Sequence, residues 1–247
     1  MQGIGEKMER KLWAKGILSW EEFLLAGGED MGLAKKYFYD DILRDARQNL
    51  NQGNAGFFTR MLRPREHWRL FQDFKDHAVA LDIESNGLPA HSGGYVTVAG
   101  LYDGFDYKAF VKGVNLSREA LERELGRYKY LITFFGSVFD LPFLRETLGV
   151  NYTGLHFDLC FGGKKAGLKG GLKKIEALLG IERDESVKGF SGFDAVRLWS
   201  EAQKGSSQAR ELLITYNRYD TVNLFEIAEM LYYMLRAQTG IADFLGA

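Results

Sequence analysis

The chain has 247 residues, enough for one large domain or a medium domain with a small companion. Hydrophobic residues make up 46% and charged residues 26%, a globular balance that excludes a largely disordered chain. Lys and Arg number 32 against 33 Asp and Glu, a net charge of −1, so any polyanionic partner must be held by a local patch or by bound cations.

Before residue 76 nearly everything reads as helix, so residues 1–75 are expected to form a small all-helical region and residues 76–247 the main domain. Gly3, Ile4 and Gly5 ahead of Glu6 to Trp13 look like the hairpin and second helix of a helix-hairpin-helix, which grips a backbone phosphate through loop amides. The first helix of such a motif would precede Met1, and an ordinary glycine turn is the competing reading. Ser19 with Glu22 has the spacing of a capping box, and apolar residues recur at helical spacing from Gly32 to Asn51. The basic cluster Arg60, Arg63, Arg65, His67, Trp68 and Arg69 reads as junction packing.

Short apolar runs over 78–84, 93–102 and 105–111, separated by turn residues, predict a three-stranded meander. Ser117 caps a predicted helix to about Tyr128, and Tyr130 to Phe135 is a fourth strand. Pro142 opens and Gly149 closes the next helix, and residues 155–161 form a short fifth strand. Helices over 172–179, 193–203 and 207–236 complete the chain. Together these predict an α/β fold: a mixed five-stranded sheet flanked by helices, in RNase H-like order. No apolar run approaches the ~18 residues of a membrane helix, the polar start is unlike a signal peptide, and the single Cys160 excludes a disulfide framework or multi-cysteine zinc site. The thiol is expected to be buried, in a cytoplasmic protein.

Acidic residues stand where the apolar pattern would not put them. Asp82 and Glu84 interrupt the first strand two residues apart, so both side chains leave the same face. Adjacent carboxylates repel unless a cation lies between them. Asp140 follows the fourth strand at the start of a helix, where a plain N-cap is the alternative. Tyr216 and Asp220, four apart, share a face of the last helix.

In this order the residues resemble the DEDD superfamily of 3′–5′ exonucleases, and the tyrosine resembles its DEDDy branch. The finer likeness is to YprB-like RNase H-like domains, carried by Asp82 to Leu88, Phe139 to Leu144 and Tyr216 to Leu224, with the stretch Gly192 to Trp199 also similar. The likeness spans about residues 76–238. It implies a metal-dependent hydrolase that releases nucleoside 5′-monophosphates from a single-stranded 3′ end of nucleic acid, with two divalent cations, Mg²⁺ or Mn²⁺, as cofactors. Four carboxylates without clustered His or Cys suit such hard ions. By this resemblance Asp82 bridges both ions, Glu84 and Asp220 complete one site, Asp140 reaches the second, and Tyr216 orients the attacking water. Ser85, Asn86, Leu88 and Phe139 would meet the terminal nucleotide, the first three being otherwise a surface turn. Related exonucleases often carry asparagine at the position of Phe135, which here departs from the pattern.

Lys164, Lys165, Lys169, Lys173 and Lys174, interleaved with glycines, form either a mobile phosphate-binding lip, with Lys169 and Lys173 as its contacts, or a solvated loop. Asp158 is a candidate fifth, accessory acid, and His77, His91 and His156 lack metal spacing. A non-cleaving binder of nucleic-acid ends and a structure-selective endonuclease of the same fold are the rival functions.

Overall fold

Serine side chains start two of the helices at the predicted places. Ser19 accepts the Glu22 N–H at 3.2 Å while the Glu22 carboxylate accepts the Ser19 N–H at 2.8 Å, and Ser117 accepts the Ala120 N–H. In the computed structural model, which describes residues 4–29 and 31–245, the first elements are α1 (Glu6–Trp13), α2 (Trp20–Leu25), α3 (Leu33–Asn51), α4 (Ala55–Met61) and, after a 3-10 segment (Pro64–Leu70), the single-turn α5 (Phe71–Phe74). Then come β1 (Ala78–Ser85), β2 (Val96–Tyr102), β3 (Tyr107–Val111), α6 (Arg118–Leu125), β4 (Tyr130–Thr133), α7 (Asp140–Leu148), β5 (Leu155–Asp158) and α8 (Leu159–Lys165). Finally α9 (Leu172–Leu179), α10 (Gly192–Gln203) and α11 (Ser207–Gln238) close the chain. Gly3 of the candidate hairpin lies outside the described residues, while Ile4 is buried in a small core with Leu12, Phe23, Tyr39 and Leu43.

The five strands make one sheet in the order β3-β2-β1-β4-β5. The pairs β1/β2 and β2/β3 are antiparallel, while β1/β4 and β4/β5 are parallel. Strand alternation splits β1 between two cores. Val79, Leu81 and Ile83 pack with α6 and α7 residues such as Leu121 and Leu144. Ala78 and Ala80 face Leu224 and Ala228 of α11, in a core that Phe58, Trp68, Phe71 and Phe74 also enter. The helical segment from Ala46 to Phe74 is thus built against the sheet itself.

Gly100 decides how close α11 comes. It pairs with Asp82 across the sheet, and a Cβ there would sit 2.1 Å from Asn217 Oδ1 and 2.6 Å from Thr221 Oγ1.

The fifth strand, expected to reach residue 161, stops at Asp158. The Asp158 carboxylate accepts the Cys160 N–H at 3.1 Å, an N-cap that turns the chain into α8. The apolar residues Leu159 and Phe161 continue a strand-like pattern, but they ride on a helix. Gly162, Gly163, Lys164 and Lys165 therefore belong to α8, not to a mobile loop. Buried Gly162 lets α8 close on Phe157, which any Cβ would strike at 2.5 Å. Cys160, expected to be buried, is half-buried.

Candidate active site

The pairing of β1 with β4 ends at Ala80 and Ile132. Beyond it β1 runs on beside β2 alone, and the chain leaves β1 and β4 toward opposite edges of the sheet. This parting of strands opens a crevice at their C-terminal ends. Asp82 and Glu84 project into it from β1, and Asp220 reaches it from α11. Carboxylate oxygens of these three residues lie within 4.8 Å of one another.

Asp140 comes from the opposite layer, at the first residue of α7. Its Oδ1 accepts the Ile83 N–H at 3.2 Å, taking the place β4 no longer fills. The residue is buried. Asp140 is not the N-cap of α7, which has no side-chain cap bond; its side chain instead ties α7 to the strand that carries the first two acids.

Electrostatics mark the crevice as a site short of positive charge. Burial raises the Asp82 pKa well above the ordinary value, and Asp220, Glu84 and Asp140 push it further. Glu84 is raised for the same reasons, burial first and then Asp220. Burial lifts Asp140 to about 7. Tyr216 lies buried on the same face of α11 as Asp220, and burial followed by the Asp220 and Glu84 charges keeps its phenol protonated far above neutral pH. A donor set of clustered oxygens without thiolate or imidazole suits a hard divalent cation, and such an ion would relieve the repulsion these carboxyl groups share.

Several residues that the pattern left unassigned hold this arrangement. Asn217, fully buried, donates from Nδ2 to Asp82 Oδ2 at 2.9 Å and to the Asp82 carbonyl at 3.3 Å. Its own Oδ1 accepts the Tyr107 hydroxyl at 2.9 Å, so the amide orientation is fixed. The neighbour of Tyr216 in sequence, Asn217 could have been suspected from its place in the motif.

Arg183 has no such signal. It sits in the connection between α9 and α10, yet its side chain is only 7% exposed. Its Nη1 lies against Asp220 Oδ1, and Glu176 grips the guanidinium with two bonds of 2.7 Å. Glu176 in turn accepts from Asn223 Nδ2 at 2.9 Å. A fixed cation therefore neutralises part of the Asp220 charge.

The remaining candidates divide. Lys173 enters the site: its Nζ donates to the Tyr216 hydroxyl at 3.1 Å and lies 4.8 Å from the centre of that ring. Burial lowers its pKa, against the pull of the Asp220 charge. Lys169 is exposed on the α8–α9 connection. Lys165 turns away, toward Glu66 at 3.7 Å and the Trp68 ring at 5.3 Å, so the five lysines do not form one lip.

Ser85 and Asn86 build the turn after β1. The Ser85 hydroxyl accepts the Gly87 N–H, and Asn86 Oδ1 accepts the Tyr95 N–H at 3.0 Å. Leu88 and Phe139 are 50% and 43% exposed, and Phe139 stacks on Phe143 with centroids 5.5 Å apart. Asp158 is no member of the acid cluster. It clamps the loop before Asp140, accepting the Phe135 N–H at 2.9 Å, the Ser137 N–H at 3.0 Å and the Ser137 hydroxyl at 2.6 Å. Imidazoles play no part: His156 Nε2 meets Thr133 Oγ1 at 2.8 Å, and burial lowers its pKa to about 4.

A 3-2-1-4-5 mixed sheet with acids at the C-terminal end of its central strand β1 defines an RNase H-like fold. The chain matches the RNase H superfamily over residues 79–232, well over half of its length, and it belongs to that family. Among solved structures it is similar to one described as the apo form of the nuclease, with 20% identity and a TM-score of 0.51 over 69% of this chain and 80% of that one. It is also similar to NrnC of Brucella melitensis, with 22% identity and a TM-score of 0.50 over 70% of this chain and 83% of that one. A further NrnC structure with bound Mg²⁺ shows the same likeness. No curated protein sequence matches the chain. Among the described residues no helix is long and apolar enough to cross a membrane.

Proposed function

We propose that the protein is a metal-dependent 3′–5′ exonuclease of the DEDDy type, which hydrolyses single-stranded nucleic acid from its 3′ end and releases nucleoside 5′-monophosphates. One observation carries the reading: three acids from two separate elements bring carboxylate oxygens within 4.8 Å, beside a buried tyrosine and a fourth buried acid. A non-catalytic surface has no use for charges that raise one another's pKa.

Asp82, Glu84 and Asp220 would hold one divalent cation, Mg²⁺ or Mn²⁺, and Asp82 with Asp140 a second. Cations so held lower the pKa of an attacking water and stabilise the departing alkoxide. Asn217 keeps the Asp82 carboxylate aimed into the crevice, because one of its oxygens is already engaged at 2.9 Å. Tyr216 stays a neutral phenol and therefore acts by hydrogen bonding, positioning the water without taking its proton. Lys173 donates to that phenol and the phenol donates toward the Asp220 carboxylate, so its oxygen is held in a fixed place beside the acids. Leu88 and Phe139 offer apolar surface for the terminal nucleotide, and the Ser85–Asn86 turn supplies the rigid edge beneath. The single cysteine is consistent with a cytoplasmic setting.

A time course on 5′-labelled single-stranded DNA and RNA with Mg²⁺ or Mn²⁺ tests the proposal. The expected result is a ladder shortening from the 3′ end with mononucleotide release, abolished by Asp82→Ala or Asp220→Ala in a folded protein. Internal fragments appearing first indicate an endonuclease, binding without cleavage indicates an end-binding module, and either result overturns the assignment.

A further inference from the structure

Among the described residues Phe135 alone, apart from glycines, has a left-handed backbone, with φ 64. A bulky side chain adopts this region only where its surroundings impose it. Here the imposition is plain. Both oxygens of Asp158 hold the loop through Phe135 and Ser137, and the Val138 and Phe139 N–H groups donate back to the Phe135 carbonyl at 3.1 Å each. Gly136 is pressed onto Thr133, where a Cβ would meet Oγ1 at 2.3 Å, so the loop cannot relax inward.

The outcome is an aromatic ring held out in solvent. Phe135 is 39% exposed, and Phe161 from the first turn of α8 is 46% exposed beside it. Their centroids are 6.2 Å apart with planes tilted by 33°, too close to admit a ring between them, so the two make one exposed aromatic patch. Lys164 carries its ammonium 5.1 Å from the centre of the Phe161 ring. Asp158 joins the parts, since it both clamps the Phe135 loop and caps α8. Rigid aromatic faces next to an unburied cation match the two chemistries of a single nucleic-acid strand, a base with a π-face and a phosphate.

We propose that Phe135 and Phe161 form a stacking platform for a base of single-stranded nucleic acid, with Lys164 on a neighbouring phosphate. The platform accompanies the acid crevice: Phe135 lies five positions before Asp140. It rests on the nuclease reading for its occupant, and it makes single strands longer than one linkage the preferred substrate class. Duplex ends would first have to unstack to use it.

The test compares wild type with Phe135→Gly, which adopts the left-handed backbone freely and adds no contact of its own, and with Phe161→Leu, which keeps apolar bulk but removes the ring. Thermal unfolding verifies that both fold. Binding is read by fluorescence anisotropy of labelled oligothymidylates with Ca²⁺ in place of Mg²⁺, and turnover is read on thymidine 5′-p-nitrophenyl phosphate, too small to span both places. The expected result is oligonucleotide binding weakened roughly 5- to 100-fold by each variant, with turnover of the small ester unchanged. Oligonucleotide binding equal to wild type in both folded variants overturns the platform, whether or not the chain cleaves. Weakened binding in a protein that hydrolyses neither substrate keeps the platform and refutes the nuclease.

Discussion

Replacing Asp140 with asparagine isolates the cost of one buried charge. Burial raises this carboxyl from 3.8 to about 7, although its own N–H and that of Ile83 pull the other way. The unfolded chain therefore ionises the group from near pH 4, while the folded chain keeps it protonated until near pH 7. Stability is unaffected below the first value, falls by about 1.4 kcal/mol per pH unit between the two, and levels off above the second. Three pH units amount to about 4 kcal/mol. D140N keeps an acceptor for the Ile83 N–H but buries an amide donor at a cost of about 1–2 kcal/mol, leaving about 2–3 kcal/mol in its favour. For a chain of this length that raises the unfolding temperature by about 4–12 °C. Thermal unfolding in EDTA at pH 4.5, 6 and 8 provides the measurement. The variant should run level with wild type or slightly behind it at pH 4.5, draw ahead at pH 6 and lead fully at pH 8. Saturating Mn²⁺ should shrink the lead, because a cation bound beside the wild-type acid offsets the same penalty. A pH-independent difference, or a variant less stable than wild type at pH 8, refutes the reasoning.

Two further outcomes follow from the same geometry. Tyr216→Phe should slow cleavage severalfold with little change in Mn²⁺ affinity measured by calorimetry, and the wild-type rate should show no break near neutral pH from the phenol, whose pKa is raised by burial and the neighbouring acids; an unaltered rate removes the water-positioning role. Arg183→Gln leaves Glu176 and Asp220 without their shared cation, and breaking such a buried pair costs about 3–5 kcal/mol. The metal-free protein should unfold at lower temperature while the rise on adding Mn²⁺ grows; an unchanged Mn²⁺ response would show that Arg183 braces the loop without tuning the acids.

The parts of this fold that announce themselves in sequence are those where one pattern dominates. The apolar run of β1 is legible because nothing else explains two acids at a spacing of two, and α11 because its helical period persists over 32 residues. Ser19 and Ser117 mark helix starts through local bonds that need no tertiary context. The end of β5 was hidden because Leu159 and Phe161 extend the strand's hydrophobicity, and only the Asp158 cap reveals the turn. Arg183 could not be read at all: its role depends on a loop folding back over α11, and no local spacing encodes that. Asn217 stood in plain view within the motif, but its partner Asp82 lies 135 positions away. The left-handed Phe135 is likewise set by a distant carboxylate, not by its own propensity.

Gly100 shows how much of this centre is set by an omission. Opposite Asp82, the sheet has a dimple one hydrogen atom deep, and the flank of the long terminal helix rests in it with Asn217 and Thr221 as its footing. Acids on a strand and acids on a helix can meet only if the two backbones come unusually near each other. The spacing between strand and helix acids is thus gauged on the neighbouring strand of the hairpin, on the same face, by a residue that bears no functional group, and the reach of the whole cleft is as sensitive to that bare position as to any of its carboxylates.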